Sequence, residues 1–600
     1  MKSRIRLLTV GVAAFSTISA LAATFSGTLT NDTTLSGTNV FQGTVVVTNG
    51  VVLTLNPGAR VLMSTGATLV VYGQLLANGT TNDPIHFTRE VAGQRWKQIL
   101  FVGAMDSVLR HCFIEFANSA GTHLDYYDND CNTNTPPPVR NYHEAVVALA
   151  THLEIEGCTF RYLPDASPGG QGDALAIVSD DPQTQGAASA RISNCQFLSI
   201  GQGVHTRFAY VLIENCFFTG HNGDNDDVDL YGESSPPPLI RNNVFLNPGH
   251  DDIINPTRCS AIIIGNVMSG GDDHGIVLRD KCSPIVINNL IYNFASAGIA
   301  VQNQCDALIA NNTIVNCGRG IRFFDHDQRW GPPYCLVPGS GRATIINCII
   351  WDCPTSLLLA DSPYTEDRGS HASVLFCNVE GGQASASVGP NSTLTWGAGN
   401  ISSDPQFVNL AANDYRLSTN SPCLDAGTNV TTALTNFLVA ITNDLDGVPR
   451  PLDGDGDGLA GFDIGAYEHL LATADSNGDG IPDGWTWNYR LNPTDPNLAA
   501  GDPDGDTHTT FQEWVADTDP TNALSSFRIE AIAPGPPITL QFLSSSNRQY
   551  TLVYTTNLTS APLWMNVPSQ VDIAGSGGLD SLADTSWETE RFYRITVKTP

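Results

Sequence analysis

The sequence predicts an all-β chain, the larger part of it a solenoid of stacked short strands, on three observations. Its 600 residues exceed what one compact core supports. A pattern returns after 23 residues, so that Ile253, Arg258-Cys259-Ser260 and Asn266 are answered by Ile276, Lys281-Cys282-Ser283 and Asn289. The segments between returns alternate apolar and polar residues and lack a helical period. A return of this length signifies units that cannot bury their apolar face alone and must stack.

The chain opens with Lys2, Arg4 and Arg6 before a short apolar run that ends in small residues at Ala20-Leu21-Ala22, the pattern of a secretory signal over residues 1–22. Secretion or a cell-surface location is therefore expected. No later run reaches the roughly 20 apolar residues that cross a bilayer, so no membrane span is expected. A formal net charge of −31 repels nucleic acid, which is excluded as a partner. It would also repel an acidic polysaccharide unless cations intervene, which directs attention to calcium.

From residue 23 valine-rich segments are separated by Gly and Asn turns, as in VVVTNGVVLTLNPGARVLMSTGATLVVYG. Aligning ISNC, IENC, IRNN, IIGN, VINN and IANN puts Cys195, Cys216, Asn243, Asn266, Asn289 and Asn312 in one column, with Cys112, Cys158, Cys348 and Cys377 as outlying members. Cys259, Cys282 and Cys305 form a second column, and Ile253, Ile276 and Ile299 a third. On these columns residues 23–400 resemble right-handed parallel β-helix proteins of the pectate-lyase-like class, in which Asn side chains stack at turns between coils. Most of the 14 cysteines fall in the columns and read as buried thiols in a small apolar slot, with bridges between neighbouring coils as the alternative. Cys131, Cys335 and Cys353, in less regular sequence, are the better disulfide candidates.

Residues 401–470, ending in FDIGAYE, resemble the closing segment behind bacterial β-helices and are expected to cap the last open coil. Residues 471–524 hold two acidic loops. Asp502, Asp504, Asp506 and Glu513 occupy positions 1, 3, 5 and 12 of an EF-hand-like calcium loop, although position 6 is Thr507. Asp475, Asn477, Asp479 and Asp483 resemble a thrombospondin type 3 repeat, which implies calcium there as well. Residues 525–600 alternate apolar and polar positions between turns and read as a small β-sandwich.

Chemistry is sought on the solenoid. If Val204, Val228, Ile253, Ile276, Ile299 and Ile321 point inward, alternation turns His205, Asp229, Ile254, Val277, Ala300 and Arg322 outward, followed two residues later by Arg207, Tyr231, Pro256, Arg279, Gln302 and Phe324. His205, Arg207, Asp229, Tyr231 and Gln302 are the candidate substrate-binding residues of an exposed face. Asp226-Asp227, Asp251-Asp252 and Asp272-Asp273 precede these strands and would repel one another without a cation, which makes Asp227, Asp251 and Asp273 candidate calcium ligands. The resemblance implies a monomeric protein that binds or acts on extracellular polysaccharide. As a calcium-dependent lyase it would use Arg279 or Lys281 as the base, with Asp252 as a further catalytic residue, the cation acidifying the proton beside a uronate carboxylate. A non-catalytic adhesin or surface scaffold is the competing class. Asp272-Asp273-His274-Gly275 resembles elements of polygalacturonases, but in that family those sit on separate coils, and no clear Arg-x-Lys element follows on a later coil here.

Overall fold

A computed structural model describes residues 22–117, 142, 144–163, 172–179, 186–221, 226–246, 252–325, 339–362, 369–430, 442–558, 562–586 and 590–599. Cys131, Cys335, Asp251 and the signal segment before residue 22 lie outside them.

The first 40 strands, from Ala23–Leu29 to Thr393–Trp396, build a right-handed parallel β-helix. Each coil contributes three short strands. The coil after Ala261 shows the plan: Ile262–Ile264 in a first sheet, Val267–Gly271 in a second and His274–Leu278 in a third, before the chain re-enters the first sheet at Ile285–Ile287. Every strand pairs in parallel with its counterparts one coil away, such as Ile262 with Leu239 and Ile285. The first sheet has 14 strands, and the other two merge through the long strand Thr38–Val47. Inward side chains repeat from coil to coil: Phe160, Phe197, Phe218 and Phe245 stack with ring centroids 4.4–5.0 Å apart and are fully buried.

The corner between the first and second sheets explains the Asn-Asn and Asn-Cys pairs. The first residue of each pair turns the chain in the left-handed region: Asn215, Asn242, Asn288 and Asn311 have φ of 51–55°, and Gly265 has 67°. Asn and Gly tolerate that conformation best. The second residue points inward, where Asn243, Asn266, Asn289 and Asn312 are fully buried. Asn289 Oδ1 accepts the backbone N–H of Asn266 at 2.9 Å, and its amide donates to the carbonyls of Ile263 and Ile287 and to Asn312 Oδ1. The same bond joins Asn243 to Asn266 and Asn289 to Asn312, and Asn243 accepts from the Cys216 N–H. Cys112, Cys158, Cys195, Cys216, Cys348 and Cys377 occupy the same slot as buried thiols. In the second column Cys282 and Cys305 are bridged while Cys259 stays free, and Cys353, favoured for a bridge from sequence, is a buried free thiol.

Two expectations are corrected. Ile254, not Ile253, stands in register with Val228 and Ile276, because the third-sheet strands do not keep the 23-residue interval of the corner. Asn255 and Thr257 therefore take the outward places assigned to Ile254 and Pro256. The segment after residue 400, expected to close the end of the solenoid, lies along its flank. Leu290, Val315 and Ile349, on outward positions of the second sheet, pack against Tyr415, Leu417, Cys423 and Ile464. Asn288 and Asn347 donate from that corner to the carbonyls of Asn443 and Thr428. Parallel strands that are apolar on both faces need cover on both.

Residues 471–524 carry two short helices, Asp483–Asn488 and Thr510–Ala516. The end of the chain forms two antiparallel sheets around Leu540, Phe542, Tyr550, Leu552, Val567 and Leu582, a sandwich as the alternation suggested.

Replacing Asn289 by Leu removes the acceptor of a buried N–H and strands two carbonyls. Denaturant unfolding of N289L should show a loss of about 1–3 kcal/mol against wild type. An unchanged midpoint would remove the ladder from the account.

Candidate functional site

The outward face of the third sheet is not the open surface expected. His205, Arg207, Asp229, Tyr231, Asn255 and Gln302 are all buried. Alternation decides which side chains leave the coil, but not whether they reach water. Their charges are instead matched to one another, the condition under which such groups are buried. His205 Nδ1 lies 3.2 Å from Asp229 Oδ2, which also accepts from Gln202 Nε2 at 3.1 Å. Arg207 stacks on the ring of Tyr231, whose hydroxyl accepts from Arg258. Asp226 accepts from Asn255, and Asp227 pairs with His221, which burial pulls down to about 4.

A second cluster lies one coil on, at the entry to His274–Leu278. Asp252, Asp273 and His274 present ligand atoms within 4.8 Å of one another. His274 Nδ1 is 2.9 Å from Asp252 Oδ1 and 2.8 Å from Asp273 Oδ1, and Arg279 Nη2 donates to Asp252 Oδ2 at 2.9 Å. The other ring nitrogen, Nε2, stands 3.1 Å from Ser296 Oγ. Burial pulls the His274 pKa down, but the bonds and charges of Asp252 and Asp273 outweigh it and leave the pKa raised. Asp273 is lowered: burial opposes, and His274, Ser296 and Arg279 prevail.

The imidazole thus occupies the position expected of a calcium ion between the two carboxylates. A nitrogen ligand and a neighbouring guanidinium are not the all-oxygen set that calcium takes, so Asp252 and Asp273 come together as anticipated but around a side chain. Asp227 pairs elsewhere. Arg279, a candidate base, is held by Asp252, and Lys281 is exposed on a left-handed turn and makes no ion pair among the described residues.

His274, Ser296 and Arg322 were not selected from the sequence as site residues. Phe324, in register with Gln302, places its ring 6.3 Å from that of His274, and Arg322 stacks on Phe324 with its guanidinium carbon 3.7 Å from the ring centre. Arg322 Nε is buried without a hydrogen-bond partner, and Arg322 feels the charges of Arg319 and Asp273. Arg319 and Arg322 make no ion pair with a carboxylate among the described residues. The available signal was Asp-Asp-His at a strand entry, with Ser296 at the matching entry of the next coil.

The tail carries two further acidic groups. Asp502, Asp504 and Asp506 lie within 4.8 Å of one another. Asp504 Oδ2, Asp506 Oδ2 and Glu513 Oε2 are buried without hydrogen-bond partners, and burial with the charges of Asp504 and Asp506 pushes Glu513 up to about 7. Bare inward oxygens at these spacings fit a hard dication. In the first loop Asp475 accepts from the N–H groups of Asp479 and Gly480, Asn477 donates to Asp479, and buried Asp483 is bonded to Ser476. A further triad not read from the sequence, Asp425 with Asp453 and Asp455, joins two parts of the flank segment.

Residues 221–330 match the family model described as "Right handed beta helix region". Among solved structures the chain is similar to the periplasmic alginate epimerase AlgG, at 12% identity over 62% of this chain and 83% of that one, with a TM-score of 0.38. A PL6 alginate lyase in complex with a trisaccharide is similar at 12% identity over the same shares, TM-score 0.37. GH136 lacto-N-biosidase from Eubacterium ramulus shows 13% identity over 58% of this chain and 62% of that one, TM-score 0.32. A comparison with curated proteins found no match.

Because the folded chain holds a proton on Glu513 that the unfolded chain releases near 4.5, stability without metal falls as pH rises from there to about 7. Millimolar calcium should cancel that fall and raise the melting temperature in neutral buffer, and E513Q should shrink the gain. Melting curves that coincide in calcium and in chelator would contradict a cation at this loop.

Proposed function

We propose that the chain is an exported β-helix protein that acts on an acidic extracellular polysaccharide at the margin formed by His274, Ser296, Arg319 and Arg322. The observation that carries the reading is a pair of arginines without carboxylate partners among the described residues, on a chain of net charge −31, beside a histidine hydrogen-bonded to a partly exposed serine. Arginine suits the planar carboxylate of a uronate. His274, oriented by Asp252, takes the proton beside that carboxylate through the Ser296 hydroxyl, a carbon–carbon double bond forms as the glycosidic C–O bond on the next carbon breaks, the leaving oxygen takes a proton from water, and Arg322 neutralises the charge that develops on the carboxylate. The base of this elimination is His274, in place of Arg279 or Lys281, and calcium belongs to the tail.

The 3.1 Å contact between Ser296 Oγ and His274 Nε2 favours a second reading, in which Ser296 attacks an O-acyl ester of the glycan and His274 accepts its proton. A nucleophile is indispensable where a relay can be replaced by water. S296A should therefore abolish ester cleavage but only slow elimination.

Ultraviolet absorbance of unsaturated product, followed over a panel of uronate polymers, tests the first reading. H274A should lose activity by about two or more orders of magnitude. Since His274 must be neutral to accept a proton and its pKa is raised, the rate should climb as pH rises through a value above 6.5. D273N removes one of the carboxylates that hold the proton and should move the climb to lower pH. An active wild type whose profile ignores D273N would refute the role of His274. Cleavage of no uronate polymer would refute elimination.

A further inference from the structure

A cleft of about 560 Å³ lies where the flank segment meets the first acidic loop, away from the third sheet. Its walls come from three stretches distant in sequence: Arg416, Asp446 with Tyr467 and His469, and Trp487 with Arg490. The volume lies in the range of small-ligand sites.

Each wall offers a prepared group. Arg416 is locked by a two-point pair with Asp414, Nε to Oδ1 at 2.8 Å and Nη2 to Oδ2 at 2.6 Å, so its orientation is set before a ligand arrives. His469 Nδ1 bonds to the Leu417 carbonyl at 3.1 Å, which puts the hydrogen on Nδ1 and leaves Nε2 as an acceptor. That Nε2 is buried and unpartnered, and burial lowers the His469 pKa, so the ring remains a neutral acceptor. Trp487 is half-buried, with the Arg490 guanidinium 4.9 Å from its ring centre. Tyr467 adds a hydroxyl and Asp446 an exposed carboxylate.

An aromatic surface ringed by both donors and acceptors matches the apolar face and hydroxyl edge of a pyranose. Charge decides the type of sugar. Arg416 is already neutralised by Asp414 and Glu468 by Arg450, which leaves Asp444 and Asp446 against Arg490 alone, so a uronate or phosphate would meet more negative than positive charge. We propose that this cleft is a second glycan site that binds neutral pyranose units and is separate from the His274 margin. Through it the tail would hold the chain on a neutral polysaccharide whatever reaction the coils perform.

The test uses the full chain in calcium-containing buffer. Neutral oligosaccharides, namely the cello-, xylo-, manno- and chito- series, and oligogalacturonate as the acidic control are titrated by calorimetry, with tryptophan fluorescence in parallel. At least one neutral series should bind saturably and perturb the fluorescence. W487A should weaken that binding about tenfold or more. D446N, at an exposed position, should weaken it with an unchanged melting curve, which guards against a W487A variant that misfolds. Turnover of uronate polymers, where present, should be unaffected by D446N. Absence of saturable binding across the neutral series would overturn the proposal, as would neutral binding that survives both substitutions. A preference of this cleft for oligogalacturonate, lost in W487A, would overturn the charge argument.

Discussion

The structure depends on one buried backbone N–H at each turn between the first and second sheets. At that corner the chain turns inward, the Asn side chains are fully buried, and the N–H needs an acceptor supplied by the next coil. Asn289 provides it for Asn266, and Asn312 for Asn289. Because the bond runs from one coil to the next, it fixes the stacking register there, and the parallel pairing of all three sheets follows. In the third sheet, whose entering segments differ in length, the strand pairing itself sets the position of His274 relative to Asp252 on one side and Ser296 on the other.

Charge is the second constraint. On the third sheet acids and bases are paired in matched sets, His205 with Asp229 and His274 with buried Asp252 and partly exposed Asp273, so that most of this face serves cohesion. The balance fails at Arg319 and Arg322, where positive charge is left over at the margin. In the tail it fails in the opposite sense, at Asp504, Asp506 and Glu513. These two imbalances, of opposite sign, are where a ligand would do most to complete the electrostatics, an anion in the first case and a cation in the second.

The ladder and the coil architecture were legible because a turn that needs a left-handed residue followed by a buried bonding residue writes itself as Asn-Asn or Asn-Cys, at a constant 23-residue interval from Asn243 to Asn312. The register of the third sheet was not, because the segments entering it differ in length and Ile253 and Ile254 are equally apolar. The burial of His205 and Arg207 was hidden for a different reason: alternation separates two faces without telling what lies over the outer one. Asp502, Asp504 and Asp506 were readable from local spacing alone. Asp425 was not, since its companions Asp453 and Asp455 are distant in sequence, and neither was the meeting of Ser296 with His274, which needs the coil pairing itself.

The reading of the solenoid as a working surface rests on the margin at His274, and the location of a bound sugar tests it most directly. A crystal structure of the S296A chain soaked with a uronate oligomer is predicted to place a carboxylate against Arg322 and the adjoining carbon toward His274. A sugar bound only elsewhere on the coils, with this margin bare at saturating ligand, would contradict the account.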